Sequence, residues 1–225
     1  MRPINFEVEI LNSLNDLFSS EGLIAGGFAR DVQLAKSPKD VDIFINHTGD
    51  MFAVEDMLKM WCASKADPPL CDYYQGEQFW AMDYSVEKLG NIDHPYSNVT
   101  GVRAVYEMTI CYYQKDMIAY EEETPEASLL YEKPLQLVLT NKNVKKVISD
   151  FPISLCKAWF DSNKKFGCDE DFLRSTQTKT ALYDIGVKPS YLAKIFNKFS
   201  DYAFIPDNHE LAEVIYGRKS DEINF

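Results

Sequence analysis

Apolar residues recur at helical spacing from the start of the chain. Phe6, Ile10, Leu11, Leu14, Leu17 and Phe18 share one side of a helix over 4–19. Glu21-Gly22 ends it, with glycine suited to the C′ position. Leu23-Ile24-Ala25 is a short apolar run, read as a strand. A helix over 28–36 follows and stops at Ser37-Pro38, because proline lacks an N–H and pushes the preceding residue out of the helical region. Val41 to Ile45 is a second strand, apolar apart from the acids at its start. Thr48 to Lys65 reads as a helix with Met51, Val54, Met57, Leu58 and Trp61 on one side.

The stretch 66–100 shows no clear period and holds Pro68-Pro69, Tyr73-Tyr74, Phe79-Trp80, Tyr84 and Pro95-Tyr96. It reads as an irregular insertion or a functional loop. Its aromatics either form a satellite core or offer stacking surfaces to a base or an acceptor. Beyond it, strands are expected over 102–113, 135–139 and 153–160. An acidic turn is expected over 121–126, and a short helix over 141–149 turns Val144, Val147 and Ile148 inward. Helices are expected over 169–183 and from Pro189 onward, with Tyr202 to Ile205 packing the end down and a short helix and loose tail after Glu210. Strands interleaved with helices point to the α/β (α+β) class, a mixed sheet flanked by helices. The expected organisation is a domain over 1–165, with 66–100 inserted, and a small C-terminal helical extension over 166–225 packed on it.

Composition narrows the function classes. Of 225 residues, 46% are apolar, enough for a packed core. No run approaches a membrane span, and Glu7 breaks any signal-peptide pattern, so a cytoplasmic protein without a membrane partner is expected. Cysteines at 62, 71, 111, 156 and 168 are odd in number and lack C-x-x-C, which favours free thiols. His47, His94 and His209 are too scattered for a zinc site. The net charge of −12 argues against a long duplex as partner, since phosphate contacts need basic surface. The clusters Lys142/Lys145/Lys146 and Lys157/Lys164/Lys165 read as solvated faces.

The candidate chemistry lies in Leu23 to Asn46, LIAGGFARDVQLAKSPKDVDIFIN. Gly26-Gly27, between a strand and a helix, lets the backbone approach a bulky anion. The helix start directs N–H groups toward that anion. Asp40 and Asp42 alternate with Val41, so their carboxylates share a strand face and form a candidate Mg²⁺ (or Mn²⁺) site. Metal there can align a triphosphate for in-line attack.

These residues carry a resemblance. The ordered set GG-x-x-RD then D-x-D resembles the nucleotidyltransferases of the DNA polymerase β superfamily, most of all the tRNA nucleotidyltransferase and poly(A) polymerase head. Gly26, Gly27, Arg30, Asp31, Asp40 and Asp42 match position by position. The fuller AGGFARD and KDVDIFI are similar to small nucleotidyltransferase-like proteins of large bacteriophages and other DNA viruses, so a host cytoplasm is implied. The specific match covers 24 of 225 residues, with weaker similarity from Leu135 to Phe204.

The resemblance implies transfer of a nucleoside monophosphate from an NTP to an RNA, protein or small-molecule hydroxyl, with pyrophosphate release. Asp40 and Asp42 would hold the metal. Gly26, Gly27, Arg30 and Lys39 would serve the nucleotide, and Asp31 would brace Arg30. The superfamily places a third carboxylate on a neighbouring strand, and the similarity to the viral proteins implies a position just after a phenylalanine that opens the strand at 152–160. Here Phe151-Pro152 stands at that place. Asp150 is the favoured stand-in, with Asp161, Glu107 and Asp116 as alternatives. Without a third acid, the fold would bind a nucleotide or a host protein and turn over poorly. The chain is also too short for the neck, body and tail helices of tRNA-type enzymes.

Overall fold

The computed structural model describes residues 4–66, 77–89, 96, 99–115 and 127–207. In chain order the elements are α1 (Asn5–Phe18), β1 (Gly22–Ala25), α2 (Gly27–Gln33), β2 (Val41–Asn46), α3 (Val54–Ala66), β3 (Gln78–Lys88), β4 (Val102–Lys115) and β5 (Ala127–Thr140). There follow α4 (Val144–Ser149), a 3-10 turn (Ser154–Cys156), β6 (Ala158–Phe160), β7 (Phe166–Cys168), α5 (Glu170–Thr178), β8 (Thr180–Tyr183), α6 (Pro189–Lys198) and β9 (Ala203–Pro206). Seven strands form one mixed sheet in the order β3-β4-β5-β2-β1-β6-β7. Only β2–β5 is parallel within it. A separate parallel pair, β8–β9, is joined through α6. The architecture is the mixed α/β sheet flanked by helices that the interleaved pattern implies.

The two sheet faces bury different helices. Val41, Ile43 and Ile45 of β2 join Ile10, Leu11, Leu14, Phe28 and Leu58 in one core, so α1, α2 and α3 cover that face. Phe44 joins Tyr96, Val144, Val147, Phe151, Ile195 and Phe199 in the other, so α4 and α6 cover the second face. Alternation along β2 puts Asp42 on the side of Phe44. The site is therefore built on the face that the C-terminal part covers.

Several elements depart from the pattern reading. Residues 78–88, within the stretch read as irregular, form β3. A bulge between Met82 and Val86 breaks its alternation, and much of this edge strand is solvent-exposed, so period 2 is hidden. The strand expected over 153–160 is a 3-10 turn followed by three-residue β6. The helix expected over 169–183 stops at Lys179, whose φ of 55° ends α5 and turns Thr180–Tyr183 into β8. The C-terminal part thus holds a small sheet besides its helices, and β7 joins the main sheet by a hairpin spanning position 165. The helix expected from Thr48 starts at Val54. The expected 121–126 turn and the tail after Glu210 lie outside the described residues.

Candidate active site

The site begins at the end of β1. Gly26 N-caps α2 with φ 68° and ψ −131°, a conformation that glycine alone adopts readily. A Cβ there would lie 3.2 Å from Tyr96 Oη, 3.5 Å from Phe151 Cε2 and 3.6 Å from Asp42 Oδ2. A Cβ on Gly27 would lie 3.6 Å from Arg30 Nη2 and 3.8 Å from Asp42 Oδ2. The two glycines and Asp42, remote in sequence order, thus share one point in space. Antiparallel β1–β2 pairing produces this, because it sets the exit of β1 beside the entry of β2.

Asp42 is buried and Asp40, just before β2, is half-buried. Burial first, and the neighbouring Asp40 charge second, push the Asp42 carboxyl well above the usual carboxylate range. A hydrogen bond from Tyr96 and the charge of Arg30 act in the opposite sense. The Tyr96 phenol is itself pushed up, mainly by burial and next by Asp42.

Arg30 is buried behind the turn and is engaged on every side. Its Nε donates to Asp31 Oδ1 at 2.8 Å, and Nη2 stands 2.7 Å from the same oxygen. Nη1 donates to Cys156 Sγ at 3.2 Å, and the guanidinium lies 4.9 Å from the Phe199 ring centroid. Lys198 of α6 pairs with the other Asp31 oxygen and donates to Ser37 O. Asp31 therefore braces Arg30 and also ties α2 to α6. Arg30 brings positive charge near the turn from behind and is not presented to solvent.

Lys39 is exposed beside Asp40. Asp150 is an exposed C-cap residue of α4, off the sheet, while the next residue, Phe151, turns inward against Phe44 and Tyr96. On the strand neighbouring β2, the residue level with Asp42 is Gln136. Its Nε2 donates to Glu107 Oε2 on β4 at 3.1 Å. Among the described residues no three His, Cys, Asp or Glu side chains form a group able to hold a metal. Asp161 lies in the β6–β7 turn, its Oδ1 accepting from the N–H groups of Asn163 and Lys165. Asp116 lies outside the described residues.

Tyr96, Phe151, Tyr191 and Cys156 close over Gly26 around a cavity of ≈ 10 Å³, the room of one water. Sequence reasoning missed Tyr191 and Cys156, used Phe151 only as a landmark, and left Tyr96 among aromatics with two alternative roles. Tyr96 sat in an aperiodic stretch and Tyr191 on a later helix. The one available signal was the density of aromatics around Pro95-Tyr96.

Comparison with protein families matches residues 5–179 to the model of the Gabija anti-defense 2 family proteins. The chain belongs to that family. The match takes in α1 to α5 and all seven strands of the main sheet. No curated protein matched the chain. Among solved structures, a tRNA-processing enzyme in an apo form aligns with TM-score 0.49 and 12% identity over 96% of this chain and 48% of its own. A CCA-adding enzyme with CTP gives TM-score 0.46 and 10% identity, over 94% and 42%. The Thermotoga maritima CCA-adding enzyme complexed with tRNA gives 0.47 and 10%, over 92% and 40%. This family member spans less than half the length of each of those enzymes. No helix among the described residues is long and apolar enough to cross a membrane.

Proposed function

We propose that this chain is a divalent-metal-dependent nucleotidyltransferase whose activity serves the anti-defense role for which its family is named. The observation that carries the reading is the buried Asp42 carboxyl, set against Gly26 and Gly27 and raised in pKa by burial and by Asp40. A hard dication is the charge such a pair lacks, and paired carboxylate oxygens suit Mg²⁺ or Mn²⁺. The donor set fits as a two-carboxylate site whose remaining positions fall to water and phosphate oxygens. When bound, the metal would neutralise the triphosphate and orient it for in-line displacement.

The chain's own residues supply the rest. Gly26 and Gly27 keep side-chain atoms away from the phosphates, and Arg30 adds positive charge from behind the turn. Exposed Lys39, next to Asp40 in the chain, is the cation we assign to the outer phosphates. Asp150, solvent-facing at the end of α4, is left outside the donor set. The product is a nucleotidylated hydroxyl on an RNA end, a protein or a small molecule, with pyrophosphate released. The net charge of −12 favours a compact acceptor over a long duplex.

Incubation with α-labelled NTPs, Mn²⁺ and extract of a host carrying the defense system should label an acceptor and release pyrophosphate. The Asp40→Asn/Asp42→Asn double variant should do neither. Absence of label with either metal, or label that survives the double substitution, defeats the reading.

A second reading rests on Tyr96. Its hydroxyl bonds Asp42 and sits over Gly26, leaving only water-sized space. On this reading the fold is a binding module that blocks a host protein without turnover. Calorimetry with the four NTPs and Mn²⁺, alongside a pyrophosphate assay, separates the two. Binding without pyrophosphate, with anti-defense activity retained in the double variant, favours the module.

A further inference from the structure

We infer that the groove at the far end of β2 is a nucleotide-recognition site, separate from the Asp40–Asp42 end. Asn46 closes β2 and lies four residues beyond Asp42 on the same sheet face, roughly 13 Å along the strand. Phe44 and the α4 packing stand between the two places. The groove has a volume of ≈ 460 Å³, the size class of small-molecule pockets, and its lining includes Glu21, Asn46, Lys145 and Trp159.

Three features converge on a planar base carrying a phosphate. The first is a fixed aromatic platform. Trp159 on β6 is level with Gly167 on β7, and a Cβ at 167 would lie 2.5–2.8 Å from three indole atoms. The indole is therefore packed against bare backbone at Gly167, which only glycine permits, and Trp159 also lines the groove. The second is a cation beside that face. Lys145 Nζ stands 5.8 Å from the indole centroid, is exposed, and forms no ion pair among the described residues. A flexible ammonium there can swing to a phosphate while the base stacks on Trp159. The third is a directional acceptor. Asn46 lines the groove, and its buried Oδ1 has no hydrogen-bond partner among the described residues. A buried carbonyl left in this state calls for a donor, and the exocyclic amine of adenine supplies one. Glu21 offers a carboxylate to ribose hydroxyls. Asn143, also on the groove, is already engaged in capping α4.

The ligand chemistry is an adenine nucleotide, either free or as one residue of a single strand. The test is calorimetric titration of the full chain, in EDTA, with AMP and separately with a short oligoadenylate. EDTA removes any metal-assisted binding at Asp40–Asp42. Saturable binding is expected. Saturation by AMP identifies a free nucleotide as the source, and saturation by the oligomer alone identifies a strand. Lys145→Glu, at an exposed position, and Trp159→Leu should each weaken binding about tenfold or more, the scale of one lost stacking or phosphate contact. The Asp40→Asn/Asp42→Asn variant should bind as the wild type does. Thermal unfolding checks that each variant is folded, and Lys145→Glu carries the test alone if Trp159→Leu is not. The inference is overturned if neither ligand saturates at millimolar concentration. It is also overturned if folded Lys145→Glu binds unchanged, or if the carboxylate variant loses binding.

Discussion

Gly26→Ala isolates what the glycine turn costs and does. The residue sits at φ 68°, ψ −131°, where an L side chain is strained by about 1–3 kcal/mol. The new methyl would also stand 3.2 Å from Tyr96 Oη, tighter than ordinary contact. That phenol cannot slide freely, because its ring packs 5.2 Å from Phe44 and 5.8 Å from Phe151, centroid to centroid. Overpacking of this kind adds about 1 kcal/mol, the low end of its usual range. The expected loss is therefore about 2–4 kcal/mol. For a chain of this size each kcal/mol moves the Tm by roughly 2–4 °C.

Urea unfolding followed by circular dichroism measures the loss, and a double-mutant cycle with Tyr96→Phe divides it. Removing the hydroxyl should recover the contact part and leave the backbone part. Gly186→Ala is the control: among the described residues nothing lies within 4 Å of its added Cβ, and its φ is not positive. There the change should be neutral or stabilising by about 0.4–1 kcal/mol. A Gly26→Ala protein within about 0.5 kcal/mol of wild type, the ordinary scatter of surface changes, would refute the strained-turn argument. So would equal losses at both glycines.

Three further outcomes follow from the same geometry. Arg30→Met strands the buried Asp31 charge with Lys198 as its remaining partner and should cost about 3–5 kcal/mol in urea unfolding; Arg30→Lys should recover little, since the fork to Asp31 and Cys156 is lost. Asp42 has a folded pKa raised by burial and by Asp40, so its ionised form opposes folding above that pKa. Wild-type stability should rise as pH falls from the raised folded value toward the unfolded value of 3.8. Asp42→Asn should remove that rise and exceed the wild type at neutral pH, which paired urea titrations across pH would check. Gln136→Glu sets a third carboxylate level with Asp42 and beside Glu107. It should tighten Mn²⁺ binding in calorimetry while lowering metal-free stability, by replacing a hydrogen bond with like-charge repulsion.

What could be read in advance tracks sequence distance. Gly26, Gly27, Asp40 and Asp42 were legible because one short loop–helix–strand unit holds them all, and each residue type there has a local reason. β2 was legible from its apolar run, and α4 from Val144, Val147 and Ile148 at helical spacing; the Asn143 side chain that caps it, accepting from the N–H groups of Lys145 and Lys146, was not singled out. The third-acid question was not legible, because the residue beside Asp42 is fixed by the β2–β5 register. That register sets Gln136 there and leaves Asp150 on a helix end. Arg30 was read as a phosphate ligand from its motif. Its burial depends on Cys156, Lys198 and Phe199, which arrive from far along the chain and carry no local sign of the contact. β3 was lost to its bulge.

The β2–β5 pairing also bears on how the molecule assembles. β1 and β2 leave the ribosome before β5 and β6, yet the central sheet is complete only when β5 joins β2 and β6 joins β1. The nascent segment that carries both acids can pair β1 with β2, but the outer edges of that pair stay open until residues 127–168 have been made. Chains dominated by such non-local pairings fold slowly and expose sticky edges while they wait. Synthesis through Cys168 is thus a prerequisite for the site, and shorter amino-terminal fragments should be captured by chaperones before they bind any nucleotide.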